Sequence, residues 1–148
     1  MELDNLDLQI IKMVQENAVR SKAYIARLLR VSEQVVRRRL KRLISEGYIK
    51  MVALPDPAKL GYTSEVLVGI QAKPGMVNCV ENALAELSEV NWVMMTTGSF
   101  DIFIWATLCS QEELSKFLRE KVGKIPHVHK LEAFINFGMK KRNYGPRI

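Results

Sequence analysis

The chain has 148 residues, 48% of them hydrophobic and 26% charged, with a formal net charge of +6. That is enough for one or two small domains with cores of their own, and it contains no run of about 18 apolar residues that could span a bilayer. The charge is uneven: residues 1–54 hold 11 Lys and Arg against 6 Asp and Glu, and residues 55–148 hold 11 against 10. A basic first third suited to a polyanion is therefore followed by a nearly neutral remainder.

The opening "MELDNLDLQI" is acidic and amphipathic, unlike a signal peptide. Leu6, Ile10, Ile11 and Val14 recur at helical spacing, with Asp4 as the cap and Asp7 in the first turn. Ser21 can cap a second short helix, "KAYIARLL", with Ala23, Ile25, Ala26 and Leu29 inward. After the turn Arg30-Val31, Ser32 caps a third helix that runs to about Glu46, with Gly47 as its stop. "YIKMVALP" then reads as a strand. Two helices joined by so short a turn, with a trailing strand, make a helix-turn-helix with a wing over residues 1–54.

The third helix concentrates the charge. Arg37, Arg38, Arg39, Lys41 and Arg42 fill five of six consecutive positions, interrupted only by Leu40. At 100° per residue, Val36, Leu40, Leu43 and Ile44 face the core. Gln34, Val35, Arg38, Lys41 and Arg42 face out, with Arg37 and Arg39 at the edges. A lone basic helix is usually a solvated surface. Within a helix-turn-helix it matches the field of duplex DNA, which carries one negative charge per ~1.7 Å of axis. Ser32, Glu33, Gln34 and Val35 enter the major groove first. Gln34 suits adenine, Arg38 guanine and Glu33 cytosine, while the later cations grip phosphate.

"PDPAKLGYTS" breaks regular structure and gives a linker over 55–64. Beyond it, "EVLVGIQA" is a strand, "MVNCVENALAELSE" a helix, and "NWVMMTT" and "DIFIWATL" two strands joined by "GSF". "QEELSKFLREKVGK", capped by Ser110, is a helix, and "HVHKLEAFINF" is a strand. The order β-α-β-β-α-β over 65–140 is ferredoxin-like, so the fold class is α+β; residues 141–148 form a basic tail.

Both faces of this sheet are apolar: Val66, Val68 and Ile70 alternate with Leu67 and Gly69, and Phe103 and Trp105 with Ile102 and Ile104. Helices cover one face; a second copy of the chain is the simplest cover for the other. Thr96 to Asp101 is the one polar knot here, readable as a plain hairpin turn or as a seat for a small zwitterion. Cys79 and Cys109 belong to no metal or redox motif and read as buried thiols of a protein in a reducing cytoplasm. His127 and His129 fall on one side of a strand, too few ligands for structural zinc. No nucleotide, hydrolase or metalloprotease motif is present, so no catalytic residue, metal or cofactor is assigned.

On these residues the sequence resembles the Lrp/AsnC regulators. "LDNLDLQII" is similar to that family's opening, "VSEQVVRRRLKRLISEGYI" to its recognition helix, "DPAKLG" to its linker and "TGSFD" to the turn of its regulatory, RAM-type domain. The resemblance implies a transcription factor that binds double-stranded DNA as a homodimer assembling to octamers. It also implies an amino-acid effector near Thr97, Gly98, Ser99, Phe100 and Asp101. His127 stands where the family often has glycine, and Leu131 and Ala133 where threonines are common, which favours an apolar amino acid or no ligand. Arg30 likewise stands in a frequent glycine position. Siroheme decarboxylases look like the same two domains, but "VMMTTGSFD" lacks the His and Tyr that such an enzyme implies. A modulator that only co-assembles with related regulators is a third reading, against which the basic helix argues.

Overall fold

The structure, a computed structural model, describes residues 2–141. These form two compact units that divide between Leu54 and Pro55. The basic tail expected over 141–148 lies, beyond Lys141, outside the described residues.

The first unit holds α1 (Asn5–Glu16), α2 (Lys22–Leu29) and α3 (Glu33–Ser45). Each begins on a side-chain cap: Asp4 accepts from the Asp7 N–H, Ser21 from Tyr24 and Ser32 from Val35. Asp7 returns the bond to the Asp4 N–H at 3.2 Å, completing a capping box. The core joins Ile10, Ile11 and Val14 to Ile25, Ala26, Val36, Leu40 and Leu43. Two expected core residues face solvent instead. Ala23 lies on the outer side of α2, and Ile44 is 43% exposed because Leu40 and Leu43 already fill the contact with α1.

Arg30 ends α2 with left-handed backbone, φ 55°. The Val31 N–H reaches the Ala26 carbonyl at 3.0 Å and the Arg30 N–H that of Arg27 at 3.4 Å, the paired bonds of a Schellman turn. A conformation that favours glycine is thus imposed on an arginine so that Ser32 can cap α3 two residues later. At the other end of α3, Gly47 adopts φ 78° and the Ile49 N–H bonds to the Leu43 carbonyl at 3.2 Å. The trailing strand expected in "YIKMVALP" does not form; no strand lies between α3 and Ser64. The segment has the right side chains, but a strand also needs a partner to complete its ladder.

α1 and α3 are locked by charge as well as by apolar contact. Asp7 is fully buried. Arg39 donates to it at 2.9 Å and to Asp4 at 2.5 Å, and Arg42 donates to its second oxygen at 2.5 Å. Burial pushes the Asp7 carboxyl up, but Arg39, the Asp4 N–H and Arg42 outweigh it and hold the group below its ordinary 3.8. Asp4 is held low chiefly by Arg39 and next by the Asp7 N–H. Asp4 and Asp7 in turn raise the Arg39 guanidinium.

The second unit begins with a short 3₁₀ turn, Ala58–Leu60. It continues as β1 (Ser64–Ala72), α4 (Val77–Ala85), β2 (Val90–Met95), β3 (Ile102–Leu108), α5 (Gln111–Lys116) and β4 (Val128–Ile135). The four strands form one antiparallel sheet in the order β2-β3-β1-β4. Val66, Val68, Ile70, Ile102, Ile104 and Ala106 bury one face against Val80 and Leu84 of α4 and Leu114, Phe117 and Val122. Ser110 caps α5 through the Glu113 N–H. The helix is α-helical only to Lys116, then widens into a π turn (Phe117–Lys121) and a 3₁₀ turn (Val122–Lys124). Phe117 and Val122, five apart, would point about 140° away from each other in an α-helix; the wider turn lets both reach the core.

The Asp7 clamp carries a pH signature. Its folded pKa lies below the unfolded one, so its stabilisation is complete above 3.8 and is lost as pH falls through the folded value. Asp7→Asn, which keeps the cap acceptor, is expected to cost on the order of 3 kcal/mol near pH 7, the low end for breaking a buried pair because both guanidiniums stay partly exposed. Urea unfolding of wild type and variant from pH 7 to 2.5 should show that gap closing below 3.8; a constant gap would deny the charge its role.

Candidate nucleic-acid interface and effector turn

The nine residues singled out at the cap and along α3 divide into four groups. Ser32 spends its hydroxyl on the Val35 N–H at 3.3 Å, and Val35 is half-buried. These two shape the entry of the helix. Gln34, Arg38 and Lys41 are exposed and carry no ion pair among the described residues. They occupy successive positions along the side opposite Val36, Leu40 and Leu43, which are buried. Glu33 and Arg37 are exposed but bound to each other, one turn apart.

Arg39 and Arg42 form the fourth group, and the structure pairs both of them within the domain. Both were expected on or beside the phosphate-gripping face. Instead each turns toward α1 and keeps only about a quarter of its side-chain surface, with its guanidinium committed to Asp7 and, for Arg39, to Asp4. The reason is energetic: a buried carboxylate without a partner costs several kcal/mol, so it draws in the nearest cations. The signal available in the sequence was Asp7, an acid on the inward side of α1 between Leu6 and Ile10.

The turn at 96–101 is equally well defined. The Thr96 N–H donates to the Asp101 carbonyl at 2.8 Å, and the Thr96 hydroxyl to that of Phe100 at 2.7 Å. Gly98 takes φ 114°, open only to glycine without strain. The Asp101 carboxylate does not bond within its own turn. It accepts the Ala72 N–H at 2.9 Å, while the Asp101 N–H donates to Ile70 at 3.0 Å and Gln71 Nε2 to the Ser99 carbonyl at 2.6 Å. The turn is thereby stitched to the end of β1. Thr97, Gly98 and Ser99 stay exposed. Phe100 folds over Gly69, where a Cβ would lie 2.8 Å from its ring, and meets Phe103 and Phe134 edge-on.

His127 precedes β4 with φ 72°, and its carbonyl accepts the Lys73 N–H at 2.9 Å. The alternation expected to align it with His129 therefore does not apply. Leu131 and Ala133 turn to the helix-side core. Cys79 and Cys109 are exposed, not buried: Cys79 lies on the outer side of α4 and Cys109 just past β3. Among the described residues no three His, Cys, Asp or Glu side chains gather as a metal site, and no helix is long and apolar enough to cross a membrane.

The second face of the sheet is open. Trp92 lies opposite Trp105 and Met94 opposite Phe103; the two indoles stack at 6.4 Å. Trp92 is 41% and Met94 48% exposed, with Leu67 and Phe134 completing the surface.

Comparison with known proteins agrees with both halves of this geometry. Residues 3–50 match the family model of a winged helix-turn-helix DNA-binding domain, and residues 65–146 that of the Lrp/AsnC ligand binding domain. An uncharacterized HTH-type transcriptional regulator of Pyrococcus furiosus is 40% identical over 143 residues, 96% of this chain and 97% of that one. AsnC of E. coli superposes with a TM-score of 0.90 at 26% identity, over 97% of this chain and 98% of that one. A transcriptional regulator of Neisseria meningitidis, solved as a complex with L-Met, has the same fold at 19% identity, with a TM-score of 0.88 over 96% and 94% of the two chains. A capped basic helix in a helix-turn-helix, followed by a βαββαβ unit with one open apolar face, thus places this chain in the Lrp/AsnC family of DNA-binding transcriptional regulators.

Proposed function

We propose that this regulator reads duplex DNA through the N-terminal half of α3, as a two-fold dimer joined at the open sheet face, and that an apolar amino acid tunes it through the turn at 97–101. The observation that carries the DNA reading is the split of α3. Its apolar side and two of its arginines are held by the domain, leaving Gln34, Arg38 and Lys41 on the other side with no ion pair among the described residues. Gln34 and Arg38, in the first two turns, reach base edges; Lys41 holds phosphate. Glu33 and Arg37 meet the groove as a pair, so Arg37 contributes less than a free cation. Arg39 and Arg42 act indirectly, by setting the angle of the helix.

With Arg37 and Lys41 as the phosphate-facing cations of each protomer, a dimer makes about four phosphate contacts, and affinity should fall ~10²-fold between 50 and 200 mM salt. Gln34→Ala and Arg38→Ala should relax sequence preference at ~1–3 kcal/mol per lost base contact, whereas Lys41→Ala should weaken all sites alike. Anisotropy titrations on an operator selected from the host genome, and on a scrambled duplex, separate these outcomes. Full binding by the triple variant Arg37→Ala, Arg38→Ala, Lys41→Ala would sink the assignment.

Dimerisation through the sheet follows from the size and chemistry of the open face, since monomeric soluble proteins seldom leave so contiguous an apolar surface uncovered. A second copy gives a self-complementary cover and repeats α3 for a two-fold operator. Trp92→Glu with Met94→Glu should convert the dimer to monomer in sedimentation velocity at micromolar concentration; an unchanged dimer would place the interface elsewhere.

The effector reading is supported by what the turn has left to offer. The carboxylate of Asp101 and the amide of Gln71 are spent on backbone, and Phe100 presents an aromatic wall, so exposed backbone groups at 97–99 remain for a zwitterion and an apolar surface for its side chain. The neighbour solved with L-Met binds a ligand of this class. Methionine or leucine should raise the melting temperature, approaching ~2.7 kcal/mol of stabilisation at a hundredfold excess over Kd. Asparagine should not, and Gly98→Val, which strains the turn, should abolish the effect. A shift with polar amino acids alone would reject the apolar pocket.

A further inference from the structure

The first unit carries an apolar groove that borders the DNA-facing side of α3. Val14, Ala18, Leu40, Ile44 and Met51 line a groove of about 470 Å³ between the end of α1 and the flank of α3. Ile44 and Met51 are 43% and 45% exposed within it. Its rim is cationic on both sides: Arg20 and Lys22 stand at the α1–α2 junction, and Arg37 and Lys41 on α3. Arg20 is tied to Glu16 and Arg37 to Glu33. Lys22 and Lys41, one on each wall, make no ion pair among the described residues.

We infer that this groove docks an acidic amphipathic segment of a protein partner, and that DNA and this segment exclude each other. The charge pattern selects the occupant. A small anion with one carboxylate can satisfy one wall only, whereas a helix with apolar residues at i and i+4 and carboxylates on both flanks meets the apolar floor and both lysines together. Exclusion follows because Lys41 belongs to the groove and to the DNA-facing side of α3 at once; this part rests on the DNA reading proposed above. Bound at the groove, the segment places negative charge beside the helix that would meet phosphate.

The test uses the full chain and a fluorescein-labelled, Glu-rich helical peptide with leucines at i, i+4 and i+7, against a scrambled peptide of the same composition. The helical peptide should bind at least roughly tenfold tighter. That preference should be lost in Met51→Ser, which empties the floor, and in Lys22→Glu, which reverses one wall. Neither residue is on the DNA-reading side, so both variants should keep the wild-type melting temperature and operator affinity. Operator duplex, whose own binding is read separately, should displace the peptide. Equal binding of the two peptides, or a preference untouched by both variants, overturns the docking site. So does binding of dodecanoate that depends on Met51 when the peptide does not bind. A peptide that stays bound as the operator saturates the protein overturns the exclusion alone.

Discussion

Everything the first unit offers to a partner depends on one buried carboxylate. Asp7 sits in the apolar interior of a unit of little more than fifty residues, where an unpaired charge would outweigh much of the total stability. The chain resolves this by bringing two guanidiniums from α3, at separations of 32 and 35 residues, onto its two oxygens. The same group closes the capping box at the start of α1. One side chain thus fixes where α1 begins, how α3 rotates about its axis and how far α3 slides along α1. Apolar contacts among Ile10, Val36 and Leu43 tolerate small rotations; directional charge-assisted bonds tolerate far less. In the DNA reading proposed above, α3 must hold its register to within a base edge, and this clamp would supply that precision.

The sequence is most legible where structure is local. Caps at Asp4, Ser21, Ser32 and Ser110 follow from a side-chain oxygen placed three residues before an N–H, and the strands and helices of the second unit from their periods of two and 3.6. The misses are all matters of partnership. "YIKMVALP" has the composition of a strand and nothing to pair with. Cys79 and Cys109 belong to a type that is usually buried, yet stand on outer surfaces. Arg39 and Arg42 belong to a run of like charges, and no local rule separates those that face water from those recruited by an acid on another helix. Helical phase placed Arg42 outward; a long flexible stem let its head return inward.

The second unit shows the same division. Alternation along β1 and β3 announced two apolar faces, and the structure keeps one for helices and leaves the other open. What alternation could not announce is the tie between the 96–101 turn and β1. Asp101 looked like a group either free for a ligand or bonded within its turn, and it does neither: it caps the Ala72 amide across the sheet. Gly69 becomes intelligible in the same way, as the one position on β1 where the ring of Phe100 can lie down on the backbone. The turn is rigid at its base and exposed at its tip, an arrangement that suits recognition with little ordering cost.

The committed arginines also bear on how such a protein finds its target. Counterion release makes the grip on random duplex scale with the number of cations that touch phosphate. On the DNA reading proposed above, withdrawing Arg39 and Arg42 from that number would lower the retention time on irrelevant sequence while leaving base contacts unaffected. A genome offers an enormous excess of wrong sites, so occupancy of the right one is governed by the ratio of the two affinities. Two positive charges spent on internal geometry would, on that proposal, raise the ratio from both directions, loosening the search and stiffening the helix that ends it.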